Sequence, residues 1–212
     1  MQTSQSKIEW PIHDSMDVAV DAAIDALASA HYAVIPNFLS ANMQQALHNE
    51  LLQQQEKGFF HEAGIGRGIQ QARNVDIRGD SICWLETDFA AGGQYLLAMD
   101  ALRQQLNQAF FLGLQSFEGH YAHYQAGSYY QRHVDRHRDN DARVVSVVCY
   151  LNPDWPTEAG GELKLWNANN ELLVTLPPQG GTLVVFMSAD MPHEVLAASR
   201  SRYSIAGWFR RD

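Results

Sequence analysis

The stretch Tyr129–Asp141 reads YYQRHVDRHRDND. Read as a helix, it puts His133 and His137 at i and i+4 on one face, the spacing of a zinc-protease motif. That motif also needs a glutamate directly after the first histidine as general base, and Val134 stands there. Tyr129, Tyr130 and Val134 favour an extended chain, and the following RDND a loop. On a strand, residues i and i+2 face the same side, so His133 and Asp135 can share one metal ion. Arg136, His137, Arg138, Asp139 and Asp141 then read as a solvated loop.

Such a pair needs a third ligand from elsewhere. His193, in MSADMPHEV, follows directly on the apolar run TLVVFM. Two histidines and one carboxylate on one face of a metal leave three positions open. That set suits non-haem Fe(II), which binds a cosubstrate and dioxygen side by side. Nine residues after His193 comes Arg202, opening RYSIAGWF. A guanidinium facing into a barrel is costly unless it meets an anion, and its planar fork matches a carboxylate. The distal carboxylate of 2-oxoglutarate is such an anion, and Tyr150, in VVSVVCYLN, can donate its hydroxyl to it. Taken alone, Arg202 reads as a surface arginine like Arg200, Arg210 and Arg211. The joint spacing of His133, Asp135, His193 and Arg202 outweighs that reading.

Short runs rich in Val, Tyr and Leu flank the quoted stretch. FEGHYAHYQ, SYYQRHV, RVVSVVCYL, GELKLW, ELLVTL, TLVVFM, HEVLAA and RYSIAGWF are separated by Gly, Pro, Asn and Asp. Before Ser116 the pattern is helical. Apolar residues at 16, 20, 23, 24 and 27 have a period near 3.6. YAVIPNF is a strand ending near Pro36, and Ser40 caps a second helix that stops at Gly58. A third helix covers about Gly93 to Leu114. Phe59–Arg73, with its three glycines, reads as a mobile loop. The expected fold is mainly β with flanking helices: a jelly-roll, cupin-like core (about 116–212) braced by helices (about 1–115), all one domain.

The net charge of −9 argues against nucleic acid, whose binders carry a basic face. No apolar run approaches the ~18 residues of a membrane span. The N-terminus lacks the apolar core of a signal peptide. Cys83 and Cys149 both sit in apolar, strand-like runs, so buried free thiols in a reducing cytoplasm are expected.

DIRGDSICWLE, YYQRHVD, VVCYLNPDW, AGGELKLW, MPHEV and RYSIAGWF together resemble the Fe(II)/2-oxoglutarate-dependent prolyl 4-hydroxylases. The similar branch holds the animal oxygen-sensing prolyl hydroxylase domain proteins and their bacterial relatives. The resemblance runs from about Asn74 to Phe209. It implies a double-stranded β-helix, with His133, Asp135 and His193 as iron ligands and Arg202 as the 2-oxoglutarate clamp. Tyr150 matches the tyrosine that bonds the same carboxylate, and Tyr124 the tyrosine near the metal-chelating end. Leu163 and Trp208 match pocket-lining positions. Arg78 and Asp80 match a loop that folds over the substrate. Ala206 stands where the oxygen-sensing members carry a hydroxyl-bearing residue, so their oxygen response is not carried over.

The resemblance further implies C4 hydroxylation of a prolyl residue in a protein substrate, such as a translation factor or other cytosolic factor. Succinate and carbon dioxide are the co-products, O2 the oxidant and ascorbate a reductant. A monomer is expected. Arg132, Arg136, Arg138 and Arg143 read either as a patch that greets an acidic substrate segment or as a solvated surface. His120 and His123, three apart on a strand, face opposite sides and read as packing or surface residues. Two rival functions stay open: the same chemistry on a small molecule or free amino acid, and a non-catalytic cupin-like barrel that binds a metal or ligand.

Overall fold

The computed structural model describes residues 14–64, 77–135 and 142–211. Helix α1 (Asp14–Ala30) leads into β1 (Tyr32–Ile35). Helix α2 (Ala41–Glu56) follows, capped by the Ser40 hydroxyl, which accepts from the Met43 N–H at 3.2 Å. Then come β2 (His61–Glu62), β3 (Asp80–Trp84) and α3 (Ala90–Phe110). The second half holds β4 (Ser116–Tyr124), β5 (Tyr130–His133), β6 (Arg143–Tyr150) and β7 (Leu163–Trp166). It ends with β8 (Leu172–Leu176), β9 (Leu183–Met187), β10 (His193–Val195) and β11 (Arg202–Arg210). Each of the eight Val- and Tyr-rich runs contains one of the strands β4–β11.

These strands form two antiparallel sheets. The larger runs β1-β9-β6-β11-β4-β3-β2 and the smaller β5-β10-β7-β8. They make a double-stranded β-helix. Strands from the first half extend both edges of its larger sheet.

Side-chain alternation gives the larger sheet two buried faces. Val145, Val147 and Cys149 of β6 join Leu47, Leu51, Met99 and Leu106 in the core beneath the helices. Tyr150 of the same strand faces the other way, with Ala122, Tyr124, Leu163 and Leu165, into the space between the sheets. A strand buried on both sides is near-continuously apolar, which is why β6 reads RVVSVVCY, with Ser146 the polar exception in its middle. Both cysteines are buried and free. No helix among the described residues is long and apolar enough to cross a membrane.

Helix α3 departs from its expected bounds at both ends. It begins at Ala90 because the buried Glu50 carboxylate, on α2, accepts from the Ala91 and Gly92 N–H groups at 2.8 Å each. An anion at a helix N-terminus satisfies orphan donors and opposes the helix dipole. The helix ends at Phe110 because Phe111 turns left-handed (φ 54°). The Asn107 side chain then pairs with both the N–H and the C=O of Leu114. In the Phe59–Arg73 stretch, His61 and Glu62 are a strand paired with Ile82 and Ser81. Residues 65–73 lie outside the described residues, as do residues 136–141 of the quoted segment.

Candidate active site

Four transverse rows on the inner face of the larger sheet organise the pocket. The first holds Asp80, Tyr124 and Arg202, and the second Ile82, Ala122, Ser204 and Tyr150. The third runs Trp84, His120, Ala206, Val148 and Val184. The fourth holds Glu118, Trp208, Ser146 and Phe186. Opposite them, the smaller sheet contributes Leu163, His133 and His193. The enclosed cavity has a volume of about 180 Å³.

His133 and His193 are direct cross-strand partners on β5 and β10. Asp135 lies on a bend just past the end of β5, so its approach comes from that bend rather than from strand parity. One donor atom from each of the three lies within 4.8 Å of the others, and among the described residues this is the cluster able to hold a metal ion. Each histidine donates its Nδ1–H to a carbonyl two residues earlier: His133 to Gln131 at 2.8 Å, His193 to Met191 at 2.9 Å. Those bonds fix the tautomer and leave both Nε2 lone pairs toward Asp135, at 3.4 and 3.6 Å. Burial pushes the His193 pKa down to about 4, so this imidazole is neutral at neutral pH.

Burial alone would raise the Asp135 carboxyl. The His193 and His133 imidazoles and the Ser146 hydroxyl instead hold it well below the usual carboxylate range. Ser146 donates to Asp135 at 2.7 Å and accepts from Ser188 at 2.8 Å. The donor set of two imidazoles and one carboxylate fits Fe(II).

Arg202 lies at the other end. It is 2% exposed, and its Nε donates to the Gly161 carbonyl at 3.0 Å. Its guanidinium carbon lies 5.1 Å from the ring centroids of both Tyr124 and Tyr150. Among the described residues no carboxylate pairs with it. The buried Tyr150 hydroxyl has no hydrogen-bond partner either, and burial raises its pKa, so it keeps its proton. A buried cation beside an unused hydroxyl donor is a site for a carboxylate.

Arg78 and Asp80 form a fork-to-fork pair at 2.6 and 2.9 Å. The Arg78 guanidinium lies 4.9 Å from the centroid of the Tyr130 ring, which in turn stacks on His133 with centroids 3.6 Å apart. The pair thus buttresses a metal-ligand candidate through Tyr130, which sequence reading missed. Arg143 lies over Trp208 at 3.5 Å and pairs with Glu118 at 2.9 Å, so its charge is already met within the protein. Arg132 lies 4.8 Å from the Trp166 ring. Arg136 and Arg138 lie outside the described residues. Leu163 and Trp208 line the cavity.

His120 and His123 do face opposite sides. His123 packs behind the sheet, taking a hydrogen bond from Gln55 at 3.3 Å and bonding Ser201 at 3.1 Å. His120 is not a packing residue of that kind, because it lines the cavity. Its parity with Tyr124, four residues on along β4, is the sequence signal that carried this.

Comparison with known proteins agrees with this geometry. Residues 119–210 match the 2OG-Fe(II) oxygenase superfamily. A Pseudomonas putida prolyl-4-hydroxylase is 42% identical, with 91% of this chain and 99% of that one covered and a TM-score of 0.82. A Trichoplax adhaerens prolyl hydroxylase, solved with a hypoxia inducible factor peptide fragment, is 27% identical over 97% of this chain and 94% of that one, at a TM-score of 0.83. Human Egl nine homolog 1 is 28% identical over 92% of this chain and 47% of its own length. The chain spans about half the length of the curated relatives it matches. On these matches, and on the metal cluster and anion pocket that accompany them, the chain belongs to the 2OG-Fe(II) oxygenase superfamily.

Proposed function

We propose that the protein hydroxylates C4 of a prolyl residue within a protein substrate, using Fe(II), O2 and 2-oxoglutarate and releasing succinate and CO2. One observation carries the reading. A buried arginine with no carboxylate partner, beside a tyrosine hydroxyl with no hydrogen-bond partner among the described residues, occupies one end of the pocket that has the His-Asp-His cluster at the other. A non-catalytic barrel has no use for that anion pocket. The likeness to the Pseudomonas putida prolyl-4-hydroxylase supports C4 of proline. The peptide held by the Trichoplax relative supports a protein substrate over a free amino acid.

In this reading His133, Asp135 and His193 hold the iron. Iron and 2-oxoglutarate would together activate O2, one atom of which enters a C–H bond while the other converts 2-oxoglutarate to succinate with release of CO2. The chain's own part is orientation and shielding. The Arg202 fork and the Tyr150 hydroxyl grip the distal carboxylate, which points the keto acid toward the metal ligands. Tyr124 walls that channel. Ser146 fixes the rotation of the Asp135 carboxylate, and the two backbone carbonyls fix the imidazole planes. Trp84, Tyr129 and Val134 are more than a third exposed and offer an apolar rim to an extended peptide. Free, buried Cys83 and Cys149 support a reducing, cytoplasmic setting. A cytosolic factor as target, a monomeric state and ascorbate as reductant belong to the same proposal.

The test is incubation of the protein with Fe(II), 2-oxoglutarate and O2 against proline-containing cytosolic proteins. A mass gain of one oxygen atom on a proline, with 4-hydroxyproline in the hydrolysate and matching succinate, is the expected result. Asp135→Ala should abolish all three. Turnover of free proline or another small molecule, with none on proteins, would replace this reading.

A further inference from the structure

The four rows of the larger sheet divide the pocket by function. Arg202 and Tyr150 belong to the first two. The fourth supports the metal ligands: Ser146 bonds Asp135, and the Phe186 ring meets His193 edge-on, with centroids 4.7 Å apart. A molecule reaching from Arg202 to those ligands must cross the third row. There Ala206, Val148 and Val184 offer only apolar carbon.

The exception facing this crossing is His120, directly opposite Ala206 across β4 and β11. It is 1% exposed, and among the described residues neither ring nitrogen has a hydrogen-bond partner. Trp84 and Trp208 hold the ring between them, with centroids 5.0 and 5.5 Å away. A buried N–H without an acceptor is costly, and native proteins rarely leave one so. Burial pushes the pKa down to about 3, so the imidazole is neutral and carries one donor. Ala206, which also lines the cavity, brings only a single methyl group opposite it.

Resting on the reading above, we propose that His120 is a cosubstrate-binding residue. Its ring N–H donates to an oxygen of the keto-acid end of 2-oxoglutarate, opposite the end gripped by Arg202. The pocket would thus hold its dicarboxylic acid by a charged fork at one end and a neutral donor at the other.

The test compares wild type, His120→Leu and His120→Gln, each shown to be folded by thermal melting. His120→Met takes the place of the leucine variant should that one not fold. Calorimetry on Mn(II)-loaded protein gives the 2-oxoglutarate Kd without turnover. The visible charge-transfer band of the anaerobic Fe(II) complex reports on the chelating oxygens. The apolar variant should bind 2-oxoglutarate about 10-fold more weakly and shift the band, as expected for one lost hydrogen bond to a charged acceptor. The glutamine variant, which keeps an N–H donor, should stay within about 3-fold of wild type. Mn(II) affinity should be unchanged in both. The proposal is overturned if the apolar variant matches wild type in Kd and band, if glutamine falls as far as leucine, or if only the KM for the protein substrate moves. Wild type failing to bind 2-oxoglutarate at all would instead sink the functional reading, and this inference with it.

Discussion

The Ser146 hydroxyl donates to Asp135 at 2.7 Å from a strand of the opposite sheet, tying the carboxylate of the metal cluster to the larger sheet. Asp135 needs this tether because it sits on a bend beyond the end of β5, with no ladder to hold it. Outer partners of this kind typically account for 10- to 100-fold in metal affinity. Ser146→Ala should therefore weaken Mn(II) binding by about 10-fold or more, read by calorimetric titration, with the melting temperature little changed. Unaltered metal affinity would show that the tether is dispensable.

Arg202 should trade stability for binding. Its charge is buried with no carboxylate beside it among the described residues, and a buried charge left without a counter-charge is destabilising. Arg202→Met should raise the melting temperature of the cosubstrate-free protein. It should also weaken 2-oxoglutarate binding by about 100-fold or more. Wild type should gain roughly 2.7 kcal/mol at a 2-oxoglutarate concentration of about 100 times Kd, and the variant almost nothing. Thermal melts with and without 2-oxoglutarate check both halves. A variant that still responds like wild type would remove Arg202 from the anion site.

Glu50 holds α3 onto α2 and β4 at once. Its carboxylate accepts from Ala91, Gly92 and the Tyr121 hydroxyl, the last at 2.6 Å, and it is 7% exposed. Glu50→Ala strands two buried N–H groups and a hydroxyl, so about 3 kcal/mol or more should be lost. Urea unfolding should show a lower midpoint at unchanged slope. A loss below ~0.5 kcal/mol, the range of surface substitutions, would contradict the capping role.

His120 gives stability a pH dependence with a defined sign. Its pKa is about 3 in the folded protein and ~6.5 unfolded, so between those values the unfolded chain binds the extra proton. The contribution is fully present above ~6.5 and is lost as pH falls toward 3, by at most roughly 1.4 kcal/mol per pH unit. In the metal-free protein His193 acts in the same direction, but it is common to wild type and His120→Leu and cancels in their difference. Urea unfolding at a series of pH values should show the leucine variant gaining on wild type as the medium turns acid. Parallel curves would mean that His120 is not buried in its neutral form.

The strands were legible because turn residues punctuate runs of Val, Tyr and Leu, and because both faces of β6 are buried. The metal cluster was legible because H-x-D followed by a distant histidine and arginine is a demanding combination. The start of α3 was not, since its cap comes from Glu50 on another helix, forty-one residues before Ala91. Its end was hidden too: Phe111 takes a left-handed φ of 54° that favours glycine, and the apolar stripe runs on past it in the sequence. Tyr130 and Ser146 escaped notice because their roles depend on cross-strand register, which one strand's sequence does not reveal. His120 was recoverable from parity with Tyr124, but a histidine without a motif around it looks like packing.

Strand order in the larger sheet has a consequence for anyone wishing to trim the molecule. β1 covers the free edge of β9, and β3 covers that of β4, so the amino-terminal half seals the jelly roll on both flanks. A fragment starting at Ser116 would carry every metal-ligand candidate yet present two bare rows of backbone amides to its neighbours. Such a fragment is a recipe for intermolecular sheet growth, not a minimal enzyme.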